Sequence, residues 1–227
     1  MYGKQSRELF PTSSWRANKC LQLIHSDICG PLQASLGGCK YFLLFIDDFC
    51  RMTWAHFLKH KSEAFEKFKT FCQLVENEVK ENIGTLRTYN GGECTSNEFQ
   101  SYCRDNWIKW HLTNVYTPQQ NGVVERMNRT LLGIARSMLT FKKLSPIYWA
   151  EAIHTTVYLR NRSPTTSLDG IKPYEAWFGF TPKVKHLWVF GSVCYALVPK
   201  EKRTKIDSWS FQWKEGISSS VQWKFYY

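Results

Sequence analysis

The sequence predicts an α/β protein: a mixed five-stranded sheet with helices on both faces. Three observations predict it. Three short apolar runs follow one another within residues 21–60 and read as an antiparallel meander. Two further strand-like runs, 83–89 and 108–112, alternate with segments of helical period. The two longest helical patterns, within 117–141 and 146–162, come after the last of these strands.

Residues 1–20 are irregular, polar and basic, with Pro11 and a Thr-Ser-Ser run. "LQLIHSDI" (21–28) has the short apolar pattern of a strand. "YFLLFIDDF" (41–49) is stronger, with five apolar residues after Tyr41 and then a pair of acids. "TWAHFLKH" (53–60) alternates and joins it as a hairpin through Cys50-Arg51-Met52. From Ser62 the period changes: Ala64, Phe65, Phe68, Phe71, Cys72 and Val75 recur three and four apart, so 62–79 is an amphipathic helix with Ser62 as its expected N-cap.

"IGTLRTYNGGECTSNEF" (83–99) is a strand, a sharp turn at Asn90-Gly91-Gly92, and a helix start that Thr95 or Ser96 caps. That helix covers about 96–106, and "IKWHL" (108–112) is the next strand. "TPQQNGVVERMNRTLLGIARSMLTF" (117–141) is a loop running into a long helix, and "PIYWAEAIHTTVYLRNR" (146–162) is another helix. The Pro-, Gly- and Thr-rich stretch 163–183 reads as a connector, and "HLWVFGSVCYALVP" (186–199) as a strand pair. The Trp- and Ser-rich residues 208–227 show no period and are expected to be disordered.

Charge and composition narrow the function. The formal net charge is +11 and hydrophobic residues make up 43%, which describes a globular domain with a polyanionic partner, most often nucleic acid. No apolar run approaches the roughly 20 residues of a membrane span, and the first residues have no apolar core of a signal peptide. The eight cysteines are scattered without a C-x-x-C pair, so free thiols in a reducing compartment are expected. The N-x-[ST] sequons at Asn128 and Asn161 are then chance matches.

One constellation carries chemistry. Asp27 ends the first strand in "HSD", and Glu125 opens the long helix in "NGVVER". Carboxylates at strand ends and on a facing helix turn are what hard divalent ions such as Mg²⁺ require. A pair of such ions can drive phosphoryl transfer without a covalent enzyme intermediate. A third acid belongs at the end of the strand holding "TLRTYN", where the residue is Tyr89.

These residues sit within stretches that resemble, in order, the integrase core of copia-type retrotransposons: "LIHSDICGPLQ", "GGCKYFLLFIDDFCRMTWAHFLKHKSEAFEKFKTF", "TLRTYNGGECTSNEF", "YTPQQNGVVERMNRTLLGIARSML", "WAEAIHTTVYLRNRSPT", "PYEAWFG" and "HLWVFGSVCYALVPKEKRTKID". The resemblance covers roughly residues 20–207. It implies an RNase H-like fold, DNA 3′-end processing and strand transfer with Mg²⁺ or Mn²⁺, and a triad of two aspartates and a glutamate. Asp27 and Glu125 match the first and third acids as catalytic and metal-binding residues. Thirty-five residues separate Tyr89 from Glu125, the interval the family keeps, so Tyr89 stands in place of the second acid. A phenol, with a reference pKa near 10, is neutral at pH 7 and supplies one oxygen where a carboxylate supplies two. Metal binding and catalysis are therefore expected to be impaired.

The same resemblance reads the loop residues Gln119, Gln120 and Asn121 as DNA contacts; Arg126, Asn128 and Arg129 lie on the helix behind them, with Arg136 further along, and these are read either as DNA contacts, the arginines meeting phosphates, or as solvated helix residues. Glu93, Asp47 and Asp48 are read as bracing turns or lending outer support rather than replacing the missing acid. His25, His56 and His60 are read as packing residues. The expected layout is a linker at 1–20, a catalytic core at 21–165, an extension at 166–207 and a divergent tail at 208–227. The family places a His/Cys zinc module before its "GK…R…FP" stretch; here "YGKQSRELFP" follows Met1 directly, so no zinc site is expected. Element ends and target duplex are the expected partners, with self-association and action in the nucleus after a cytoplasmic particle stage. Two rivals remain: a catalytically dead nucleic-acid-binding remnant, and a nuclease working with one ion on Asp27 and Glu125.

Overall fold

The computed structural model describes residues 16–89, 96–113, 122–197 and 213–217. Its first part is β1 (Ile24–Cys29), β2 (Tyr41–Asp47), β3 (Thr53–Leu58), α1 (Ala64–Val79), β4 (Thr85–Tyr89), α2 (Asn97–Asp105) and β5 (Lys109–Thr113). Then come α3 (Gly122–Phe141), α4 (Trp149–Arg162), the short α5 (Pro173–Phe178), β6 (Val193–Leu197) and β7 (Trp213–Ile217).

The five strands expected from the sequence form one sheet in the order β3-β2-β1-β4-β5. The meander pairs antiparallel, Asp27 opposite Leu44 and Leu44 opposite Ala55. β4 adds parallel to β1, and β5 parallel to β4. β2 reads as a continuous apolar run because helices cover both of its faces. Leu43 and Phe45 point into a core with α1 and α2, where Phe45 stacks on Phe71 at 4.0 Å between ring centres. Phe42, Leu44 and Ile46 point into a second core with Val124 and Leu131 of α3 and Ile153 of α4.

Polar side chains tie these layers together. Asp47 is fully buried and accepts from the backbone N–H groups of Leu21 (2.7 Å), Phe49 (2.9 Å) and Cys50 (2.8 Å). Asn161, 5% exposed at the end of α4, brackets Thr53: its Oδ1 accepts from Thr53 N at 3.0 Å and its Nδ2 donates to Thr53 O at 2.7 Å. That commits one sequon asparagine to the fold. Cys20, Cys29, Cys39, Cys50, Cys72 and Cys103 are free thiols.

Some elements differ from the sequence reading. Ser62 does not cap α1; it lies in a short 3₁₀ turn, Lys61–Glu63, closed by the Glu63 carboxylate accepting from His60 N at 3.1 Å. A side chain three residues into a turn reaches back better than a serine within it. Ser96 does cap α2, its Oγ accepting from Phe99 N at 3.2 Å. The stretch 163–183 is more than a connector, since α5 carries Trp177 into the first core. The strand pair expected within 186–199 is a single strand, β6, paired antiparallel with β7. β7 falls in the tail expected to be disordered, and its Trp213-Lys214-Glu215 run sits within a stretch too short and mixed to show a period. Among the described residues no helix is long and apolar enough to cross a membrane.

Replacing Asn161 by alanine leaves the Thr53 N–H and C=O buried without partners. An unmet buried group costs about 1–3 kcal/mol, so the variant is expected to lose about 2–4 kcal/mol. Urea unfolding followed by circular dichroism should show a lower midpoint at an unchanged slope; an unchanged midpoint would refute the role.

Candidate active site

The site forms where β1 passes under the first turns of α3. Strand alternation puts His25, Asp27 and Cys29 on the face toward α3 and α4, and Ile24, Ser26 and Ile28 on the other. Val124 and Leu131 anchor α3 on that face, fully buried. Glu125 and Asn128, three apart, share the flank of the helix that looks toward Asp27. Asn128 Nδ2 donates to Asp27 Oδ2 at 2.8 Å.

Glu125, one helical turn before Asn128, acts on Asp27 through its charge. Burial pushes the Asp27 carboxyl up to about 6, and the Glu125 charge adds to this. The Ile28 backbone N–H, the Asn128 amide and the Lys61 ammonium pull it down without cancelling the rise. Two carboxylates thus face a common space with too little positive charge to balance them, which suits a hard divalent cation.

The third position is set by the sheet register. Ser26 pairs with Thr88 across the parallel β1–β4 ladder, so Tyr89, the last residue of β4, stands level with Asp27. Its other neighbour is Thr113 on β5. Just inside it, Trp110 Nε1 donates to Thr88 Oγ1 at 2.9 Å and fixes the strand end. No carboxylate comes from position 89.

The other acids are committed elsewhere. Asp47 is saturated by the three backbone donors described above. Asp48 accepts from Ala17 N at 2.9 Å, meets His25 Nε2 at 3.0 Å and pairs with Arg51 at 3.2 Å. Its carboxyl lies low, at about 2: burial raises it, but the His25 and Ala17 hydrogen bonds and Arg51 prevail. His25 is 2% exposed and shares the strand face of Asp27, yet it turns to Asp48. His56 packs edge-on against Phe45 and Phe71, and burial pushes its ring down to about 4. Cys20, Asp47 and Cys50 bring potential ligand atoms within 4.8 Å of one another, but the Asp47 oxygens are already occupied by backbone N–H groups, so the cluster is a structural knot.

Asn128 corrects the sequence reading. The pattern groups it with DNA-contacting residues, but it is 8% exposed and its amide holds Asp27. The signal was available: an asparagine three residues after Glu125 must share its side of the helix. Lys61 is a further neighbour that the sequence reading did not single out. Arg126, Arg129 and Arg136 are exposed on α3. Gln119, Gln120, Asn121 and Glu93 lie outside the described residues.

The raised Asp27 carboxyl has a pH consequence. Its folded value, about 6, lies above the ordinary 3.8. Ionised Asp27 therefore destabilises the fold, and that cost grows as pH rises from 3.8 through 6. At 1.36 kcal/mol per pH unit, Asp27→Asn is expected to be about 1–3 kcal/mol more stable than wild type at pH 7.5, with the advantage roughly halved at pH 5. Denaturant titrations at both pH values without divalent ions check it. A less stable variant at pH 7.5 would contradict the assignment.

Comparison with known proteins agrees with this architecture. No family model matches the sequence. The chain is 47% identical over 208 residues, 91% of its length, to the retrovirus-related Pol polyprotein of transposon TNT 1-94 from Nicotiana tabacum, of which it spans 16%. The simian T-cell lymphotropic virus intasome solved with the PP2A regulatory subunit B56 gamma superposes with a TM-score of 0.60, at 17% identity, over 89% of this chain and 69% of that one. The HTLV-2 integrase catalytic core domain, solved with magnesium in a dimeric form, superposes with a TM-score of 0.54, at 18% identity, over 71% of this chain and 99% of that one. The chain is thus related over nine-tenths of its length to one segment of the Pol polyproteins of copia-type transposons, and it has the RNase H-like fold of a retroviral integrase catalytic core.

Proposed function

We propose that the chain is the catalytic core of a retrotransposon integrase, whose ancestral reaction trims DNA 3′ ends and joins them to a target duplex, and that Tyr89 impairs it. The observation that carries the reading is the facing of Asp27 and Glu125 at a sheet end where position 89 stands level with Asp27. Relatives in the Pol polyproteins and the solved core holding magnesium support it.

Each residue has a role in this reading. Asp27 and Glu125 would hold Mg²⁺ or Mn²⁺. When bound, such ions activate the attacking oxygen and stabilise the leaving one. Asn128 keeps the Asp27 carboxylate turned toward that space. Arg126 and Arg129 approach DNA phosphates, and Gln119, Gln120 and Asn121 contact the DNA from the preceding loop. Tyr89 offers a neutral phenol where a third carboxylate would complete the ligand set. Copies of the chain assemble on element ends, and the reaction takes place in the nucleus. A DNA-binding module without catalysis is the second reading, and Tyr89 is the residue that favours it.

Two experiments test this. Duplex DNA binding should show little sequence preference and weaken steeply with salt, since a basic surface releases counterions; salt-independent binding would refute it. In a strand-transfer assay with Mg²⁺ or Mn²⁺, wild type should fall at least about a thousandfold below an intact triad, at tenfold per 1.36 kcal/mol of lost transition-state stabilisation. Tyr89→Asp should recover part of the activity, and adding Glu125→Gln should abolish it again. Wild type matching Tyr89→Asp would remove position 89 from the site. A dead Tyr89→Asp variant would favour the module.

A further inference from the structure

Behind the first turns of α3, away from Asp27, the structure holds a cavity of about 270 Å³. Its walls come from the β2–β3 turn, α3, the end of α4 and the 3₁₀ turn beyond it. Three arginines are among its lining residues, Arg51, Arg126 and Arg160. Thr166 and Ser167 also line it, and Thr130 does so with its hydroxyl donating to Arg126 O at 2.9 Å. No carboxylate is among its described lining residues.

The donors are under-used. Arg51 Nε and Arg160 Nε are buried and have no hydrogen-bond partner among the described residues. Arg51 spends one nitrogen on Asp48, at 3.2 Å, which leaves Nε free. Burial lowers the Arg51 guanidinium below its usual range; Asp48 counteracts this, and the neighbouring charges of Arg16 and Arg126 add to it. Arg16 also braces the wall, donating to Phe49 O at 3.1 Å and Ser167 O at 2.8 Å. Cations that crowd one another around buried, unpaired N–H donors are costly unless an anion joins them.

We infer that this cavity is a phosphate-binding site. Arginines on three separate walls suit a tetrahedral oxyanion better than a planar carboxylate, which a single fork satisfies. The Thr166 and Ser167 hydroxyls can supply further donors to an anion with several acceptor oxygens. The phosphate can belong to a nucleic-acid backbone or be free. The site uses neither Asp27 nor Glu125; Arg126 is the one residue it shares with the proposed DNA contact, and Arg51 and Arg160 are its own.

Thermal unfolding of the full chain in inorganic phosphate, against sodium chloride at matched ionic strength, tests it. Phosphate should raise the midpoint saturably beyond chloride. Arg126→Gln and Arg160→Gln should each weaken that response about tenfold, the cost of one charge-assisted hydrogen bond. Arg126 is exposed, so its variant keeps the test valid if Arg160→Gln folds poorly. No rise beyond chloride, or an unaltered response in Arg126→Gln, would overturn the inference. Adding short duplex DNA separates the sources: displacement of phosphate identifies a backbone phosphate, and simultaneous binding identifies a free one.

Discussion

The Asp47 carboxylate is the tie on which the rest depends. It is fully buried and takes three backbone donors from two separate segments, the approach to β1 and the turn after β2. Burial alone raises its carboxyl, and the hydrogen bonds offset part of that cost. By holding Leu21 and the β2–β3 turn together it fixes β1 against β2, Ile24 opposite Asp47. Strand side chains alternate, so a slip of one residue would carry Asp27 to the face of α1 and α2. An acid with no view of a substrate therefore decides where the candidate active-site acid points.

At Asp27 the same physics runs the other way. Asp47 has three backbone donors against its burial; Asp27 has one amide, one backbone N–H and the Lys61 ammonium against burial and Glu125. The fold tolerates this local mismatch because Val124 and Leu131 of α3 are packed regardless of what Glu125 does. Asn128 works at the boundary between the two demands, since its place on the buried side of α3 lets it hold Asp27 without adding charge. Sites built to receive something are commonly less stable than they could be.

Much of this was legible in the sequence because it is written in period and punctuation. The run in β2 and the 3–4 spacing in α1 each point to one local structure. Asp27 and Glu125 stand out the same way, as acids at a strand end and a helix start. What escaped was decided by tertiary partners. Ser62 lost its cap to a carboxylate one residue on, and β6 found a partner in a tail with no pattern of its own. Asn128 looks like a surface residue until α3 is laid on β1. Arg51, Arg126 and Arg160 are far apart in the chain, and only the packing of α4 against β3 and α3 shows that they meet.

Trp177 arrives late in the chain and completes something begun early. Its indole sits edge-on to Trp54 at 4.9 Å, donates to Glu78 at 3.0 Å and extends the aromatic column that runs through Phe71 to Phe45. The sheet and α1 are all synthesised well before it, since domains fold as units behind the growing chain. A nascent chain that has released α1 still carries the outer face of Trp54 wet, and the column closes only when α5 leaves the ribosome. The segment after α4 is thus tied to the sheet through Trp54 and to α1 through Glu78, and the Trp177 indole is the last ring added to a column that β2, β3 and α1 begin.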